Sequence, residues 1–433
     1  MSGARGRTKT LFVVDIRNGT YLVPVPSLNP FQVLHRHRNF RIFWFGQTLS
    51  LIGTWMQSMA QGWLALQLSN SALVVGLVVS AGSLPIVLFS MHAGVLVDRY
   101  DRMRLVRICQ ALLLLEASVL FLFTWTERIS IPWLMGLALF HGTISAVEIP
   151  ARQSLIVELV GRDDLPQAIA LQSSGFNLAR IVGPALAALA IAKLGIAAAF
   201  GFNALSYVAV LVSLFMVHLP PWKPGPKLVR PWEGIQESLA YMRGTPLVAA
   251  LMKLVMVYSI LGVPYLTLMP VFARDRLGLD ASGYGLLLAC VGIGGLAGAL
   301  GIAAQAGRQA GMRTLQVATT VFPVALLALA TVTNHRAAYA LLFVAGIAMI
   351  VNSAMSNALL QHVVPNALRG RLMAAYSFVV VGLAQTVGSF LAGVVAKAFG
   401  VHWAIAAGAA VMLGYSLHAF RKAPLAVARV EAG

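Results

Sequence analysis

The sequence predicts an all-α membrane protein of about twelve transmembrane helices in two six-helix pseudo-repeats. Three observations predict it. Of 433 residues, 59% are hydrophobic and only 11% are charged, against roughly 45–50% and 25% in soluble domains. Apolar runs near the ~20 residues needed to cross a bilayer recur along almost the whole chain. The lysines and arginines between those runs are strongly one-sided.

The twelve segments fall at 40–67, 72–97, 104–125, 132–157, 167–192, 198–218, 248–272, 281–304, 314–333, 337–360, 373–398 and 401–420. Glycine and proline are frequent within them, as in packed membrane helices. The longest polar stretch, Pro220 to Pro246, divides the segments six and six. The expected organisation is a tail (1–39), a first bundle (40–219), a central loop (220–247), a second bundle (248–420) and a tail (421–433). With the N-terminus placed in the cytoplasm, the outer side holds only Arg128, Lys193, Arg274, Arg276, Arg336 and Lys397 of the 32 Lys and Arg. Arg180 and Lys253 lie within segments. Dropping one segment would spoil this alternation, so both termini are expected inside.

A net charge of +18 would suggest nucleic acid in a soluble protein. Here its placement at membrane edges explains it, and no nucleic-acid partner is expected. Cys109 and Cys290 lie in apolar segments with no metal spacing; neither metal nor cofactor is expected. Met1 to Pro30 lacks the pattern of a cleaved signal peptide and reads as a cytoplasmic tail, with its order left open.

The halves share a faint repeat. Val182-Gly183-Pro184-Ala185-Leu186-Ala187 reappears as Val387-Gly388-Ser389-Phe390-Leu391-Ala392, and the same register pairs Gly195 with Gly400. Repeats with a site at their interface are a transporter architecture.

Gly94, Asp98, Arg99, Arg102 and Arg104 bracket the edge after the second segment. An acid with closely spaced arginines there suits contacts that form in one conformation and break in another. A plain positive-inside loop is the alternative. The stretch resembles the signature loop of the major facilitator superfamily, Gly-x-x-x-Asp-Arg-x-x-Arg-x-Arg/Lys, with Asp101 where many members have glycine. Phe40-Arg41-Ile42-Phe43-Trp44-Phe45-Gly46-Gln47, Ser50-Leu51-Ile52-Gly53-Thr54-Trp55, Glu148-Ile149-Pro150-Ala151-Arg152-Gln153, Asn177-Leu178-Ala179-Arg180-Ile181-Val182-Gly183-Pro184 and Leu368-Arg369-Gly370-Arg371 resemble its branch of enterobactin exporters and macrolide efflux proteins. The resemblance runs from about Phe40 to Gly400. It implies a bacterial inner-membrane secondary transporter, working by alternating access and exporting a drug- or siderophore-like small molecule against protons. Gly183-Pro184 partly matches the antiporter motif of proton-coupled exporters, and Pro184 permits a helix bend.

Ionisable groups inside spans are costly and mark function by default. Arg180 falls near mid-bilayer, on one face with Asn177 and Pro184. His141, Ser145, Glu148 and Arg152 form one helical stripe; Glu148 reads as part of an inner gate, pairing with Arg99, Arg102 or Arg152, with proton carriage and a static salt bridge as the alternatives. Glu116 lies mid-span in the third segment, in a helix that by resemblance supports the cavity rather than lines it. Gln47, Ser50, Thr54, Gln57 and Gln61 form a polar stripe that lines a path or joins helices. Tyr258, Ser259 and Tyr265, and Asn352, Ser353, Ser356 and Asn357, are further wall candidates. The first and seventh spans carry no acid. Lys253 reads as snorkelling.

A proton as coupling ion, the bilayer and a small molecule are the expected partners, and a monomer the expected state. The alternatives are an importer of the same fold, a membrane-embedded enzyme and a channel. The chain lacks a P-loop, so it does not hydrolyse ATP itself, and His-Glu-x-x-His and Gly-x-Ser-x-Gly motifs are also absent.

Overall fold

Six-residue runs rich in Val, Ile, Phe, Tyr and Thr suit strands, and two of them form the first structure in the chain. In the computed structural model, which describes residues 11–16, 19–24, 31–161, 163–219, 241–242, 244–304 and 312–422, β1 (Leu11–Ile16) pairs antiparallel with β2 (Gly19–Pro24) in the register Leu11 to Pro24 and Ile16 to Gly19. The hairpin lies in the tail that precedes the helices; every described element that follows is helical, as expected. Its runs are too short to register beside twenty-residue apolar segments.

Twelve long helical stretches follow among the described residues. They are α1 (Arg38–Ser69), α2 (Ala72–Arg99), α3 (Arg102–Trp125), α4 (Ile131–Val160), α5 (Leu165–Leu194), α6 (Ile196–Met216), α7 (Pro246–Arg276), α8 (Ala281–Ala304), α9 (Met312–Thr331), α10 (His335–Val363), α11 (Asn366–Ser377 continuing to Phe399) and α12 (Val401–Lys422). Among the described residues, ten are long and apolar enough to cross a membrane. The other two are α1, whose polar stripe dilutes it, and α12. Most of the expected central loop at 220–247 lies outside the described residues.

Asp101 starts α3 as its N-cap, accepting from the backbone N–H groups of Met103 (2.9 Å) and Arg104 (3.3 Å). Such a carboxylate satisfies orphan donors that glycine would leave bare. Gly195 (φ +83°) and Gly400 (φ +94°) end α5 and α11 in the left-handed region, where a side chain is strained. α7 has π turns at Tyr258–Gly262 and Phe272–Arg276, and α11 over Phe378–Gly388. In α7 the first adjoins Pro264, which cannot donate to the helix ladder.

The helices turn polar groups inward and apolar groups outward. Gln47, Ser50, Gln57, Gln110, Glu116, Glu148 and Asn203 are buried, while Leu112, Leu115, Leu122, Leu205, Val212 and Phe215 are exposed. That pattern suits hydrocarbon as solvent.

Packing in the first six helices recurs in the last six. α2 with α4, α1 with α5, α1 with α6, α3 with α6 and α3 with α4 are matched by α8 with α10, α7 with α11, α7 with α12, α9 with α12 and α9 with α10. Glycines set the closest crossings at equivalent places. A Cβ on Gly142 would lie 2.1 Å from the Gly82 carbonyl oxygen, and one on Gly346 2.2 Å from that of Val291. Likewise Gly183 lies against the Ile52 carbonyl and Gly388 against that of Ile260. This is the physical content of the Val182-Gly183 and Val387-Gly388 similarity: each glycine lets the fifth helix of its half touch the first. Gly142→Ala and Gly346→Ala are each expected to cost about 1–3 kcal/mol through overpacking. Thermal unfolding of purified protein checks this, and an unchanged midpoint would contradict the close crossing.

Candidate functional site: a cavity between the halves and a buried carboxylate

The two halves meet through α5 against α8 and α2 against α11. Here too glycines stand at equivalent positions. A Cβ on Gly76 would lie 2.5 Å from the Ser389 carbonyl oxygen, and one on Gly285 2.9 Å from that of Pro184. Toward the α1–α2 and α7–α8 turns, Arg274 Nη1 donates to Asn70 Oδ1 (2.7 Å) and Trp63 stacks on Tyr284 at 5.9 Å. Further along α2, Ser80 donates to the Thr386 carbonyl (2.8 Å), and the Thr386 hydroxyl bonds Ser83 (3.0 Å).

Beside these contacts lies a cavity of about 360 Å³ whose walls come from both halves. Gln57, Gln61, His141, Arg180, Tyr284 and Gln385 are its most polar lining groups; Trp55, Met59, Val79, Leu288 and Met349 belong to its apolar wall. Among the described residues lining it there is no Asp or Glu. A mostly apolar wall with a few placed polar groups is how proteins bind small molecules.

Glu116 sits just behind that wall. Its side chain is fully buried. Gln57 Nε2 donates to both carboxyl oxygens (3.0 and 3.1 Å), and His141 Nδ1 stands 3.5 Å from Oε2. Gln57 Oε1 in turn accepts from Asn203 Nδ2 (2.7 Å), whose Oδ1 meets the Ser206 hydroxyl (3.0 Å). Thus α1, α3, α4 and α6 converge on one carboxyl. Gln57 and His141 touch both it and the cavity.

The remaining predicted residues divide by place. Glu148 is buried and accepts from Arg152 Nε (2.9 Å), one turn on, and from Gln110 Nε2 (3.1 Å); of the three arginines considered, Arg152 is the one that binds it. Arg102 pairs with Glu158, and Arg104 stands 3.6 Å from Asp101. Asp98 and Arg99 are exposed at the end of α2. Gly94 has open space where a Cβ would go. Asn177 donates to the Ser173 carbonyl in its own helix (2.9 Å). Tyr258 is away from the cavity, donating to the Thr319 carbonyl and bonding Ser416 Oγ (2.6 Å), which ties α7 to α9 and α12. Asn352 is buried near Ser356, whereas Asn357 accepts from Gln361 and lines a shallow second depression with Ser353. Pro184 lines the main cavity. His141 was noted only as part of a stripe, and Asn203 and Gln110 were missed. A histidine well inside the fourth segment was the available signal for the first.

The chain matches the model of the transmembrane secretion effector family over residues 27–431. It is 28% identical to the multidrug efflux pump Tap of Mycolicibacterium fortuitum over 78% of this chain and 85% of that one. It is 31% identical to the staphyloferrin A transporter of Staphylococcus aureus, but over only 40% of this chain and 44% of that one. The enterobactin exporter EntS of Shigella flexneri is 24% identical over 62% of this chain and 63% of that one. Among solved structures, a bacterial homologue of the lysosomal transporter Spinster, inward-facing and unoccupied, superimposes with a TM-score of 0.72 at 14% identity, covering 92% of this chain and 98% of its own. The nucleoside transporter NupG gives 0.69 at 12% identity, covering 88% and 98%. A fold shared with transporters, a cavity between two helical halves and a family match over nearly the whole sequence lead to one conclusion: this chain is a multi-pass membrane transporter, not an enzyme, and belongs to the transmembrane secretion effector family of the major facilitator superfamily.

Proposed function

We propose that the chain is a proton-coupled exporter of a drug- or siderophore-like small molecule, working by alternating access as a monomer in the bacterial inner membrane. Its twelve helices are twelve spans in two six-helix pseudo-repeats, with both termini in the cytoplasm. The recurring crossings at Gly142 and Gly346, and at Gly183 and Gly388, support the repeat. The one-sided Lys and Arg support the orientation. In this orientation the contacts from Asn70 to Ser83 close the outer end, and the cavity is reached from the cytosol. Export is taken from relatives named as efflux pumps and exporters.

The observation that carries the reading is the placement of Glu116: fully buried, yet in contact with Gln57 and His141, which both line the cavity. A carboxyl so placed takes a proton in one state and returns it in the other. Substrate in the cavity and a proton on Glu116 then bias the same rocking of the halves. Asp98 and its neighbouring arginines, with Glu148 and Arg152 beneath them, form the inner gate that closes in the opposite state. Asp98→Asn is expected to slow transport at equal expression; unchanged transport would remove that gate from the reading.

The test begins with susceptibility and accumulation screens of a deletion strain, which supply a substrate. Inverted vesicles with an acid interior are then expected to accumulate it, and an ionophore to abolish the accumulation. Accumulation confined to right-side-out vesicles would mean import. Accumulation that survives the ionophore would remove the proton.

A further inference from the structure

Arg180 is a cation that takes no part in the contacts of Glu116. It lies midway along α5 and lines the cavity. Its Nε and Nη2 are buried and have no hydrogen-bond partner. The guanidinium lies over Gly295 of α8, where a Cβ would come within 2.5 Å of Nη2, so the opposing helix leaves room for it. The titratable group that faces it is Tyr265 of α7, whose buried hydroxyl is also unpartnered. Gln61 of α1 lines the same cavity with Nε2 buried and unpartnered. Every one of these groups can donate, and no carboxylate among the described lining residues matches them.

A buried guanidinium left unpaired is costly. A cationic, donor-rich pole in an otherwise apolar chamber stabilises an anion bound beside an apolar body. From this geometry we infer that Arg180 is an anion-binding subsite, and that the chamber takes amphipathic anions bearing a carboxylate or a comparable planar oxyanion next to an aromatic or aliphatic body. Arg rather than Lys suits such a group, because its fork donates in a fixed plane. The apolar body lies against Met59, Val79, Leu288 and Met349. The inference rests on the proposal that this cavity is the transport site.

Three tritiated probes of one shape separate the possibilities: 1-naphthaleneacetate, its neutral amide, and the ammonium analogue 1-naphthylethylammonium. Equilibrium binding is measured on full-length protein in nanodiscs. The anion is expected to bind at least about tenfold more tightly than the amide, a gap typical of one charge-assisted pair, and the ammonium most weakly. Arg180→Gln is expected to erase the preference for the anion while amide binding persists, which also shows that the variant is folded. Arg180→Lys is expected to keep part of it. Val79→Trp, which fills the apolar wall, is expected to reduce binding of all three. Equal binding of the three probes, no saturable binding of the anion at millimolar concentration, or an anion preference that survives Arg180→Gln would overturn the subsite while leaving the cavity reading intact if Val79→Trp still abolishes binding of the amide. Binding untouched by Val79→Trp would instead place the probes elsewhere, and both readings would fall together.

Discussion

Glu116→Gln is expected to abolish uphill accumulation, lowering the accumulation ratio in energised inverted vesicles to near unity, while leaving substrate exchange between preloaded vesicles and medium close to wild type. The asymmetry follows from the site. The amide keeps the volume of the carboxyl and can still bond Gln57 after an amide flip, so the rocking of the halves survives. What it lacks is a titrating oxygen. His141→Gln is expected to slow proton-driven transport without abolishing it, because the imidazole stands 3.5 Å from the carboxyl and at the cavity wall and supplies the route rather than the carrier. Loss of both exchange and accumulation in Glu116→Gln would show the carboxyl to be structural. Full accumulation would show that it carries no coupling proton.

The second large effect concerns closure of the end near Asn70 and Arg274. Gly76→Leu and Gly285→Leu each place a side chain where a Cβ alone comes within 2.5–2.9 Å of carbonyl oxygens across the interface. Packed helices do not yield by that much. Either variant is expected to hold that end open and reduce transport by at least about tenfold, since a state favoured by 1.4 kcal/mol is already favoured tenfold. A cysteine at Thr267, now buried, should then react with an impermeant thiol reagent added from outside. Leucine variants that transport and label as wild type would show that these crossings do not separate during the cycle.

Different parts of the molecule were legible in the sequence to different degrees. The helices were, because hydrocarbon demands long apolar runs and punishes exposed backbone; the observed limits of α2, α3 and α8 depart from the apolar runs by only a few residues. The pairing of Val182-Gly183 with Val387-Gly388 was visible, and both glycines lie against a backbone carbonyl, a contact that admits only a small residue. Gly195 and Gly400 were paired as well, and both cap helices with positive φ. Gln47, Ser50 and Gln57 of the polar stripe on α1 are buried. The partners of Gln57 were not readable, because its bonds to Glu116 and Asn203 join residues far apart in sequence. Tyr258 shows the converse. A tyrosine in a span looks like a wall element, yet its hydroxyl is used inside one half of the fold. Asp101, which departs from the signature loop, proved to be the cap of α3. Side-chain capping does the work at that turn that glycine's freedom does elsewhere.

The most direct test is a pair of distances across the two ends of the molecule, measured by pulsed electron spin resonance in nanodiscs after replacement of Cys109 and Cys290 by alanine. One pair of labels is placed at Ser71 and Asp275, the other at Arg99 and Ala304. Acidification, or addition of substrate, is expected to lengthen one distance while it shortens the other, and Glu116→Gln is expected to lock the distribution against pH. Two distances that move in the same direction, or that do not respond to pH or substrate, would contradict a transporter whose halves rock about one central cavity.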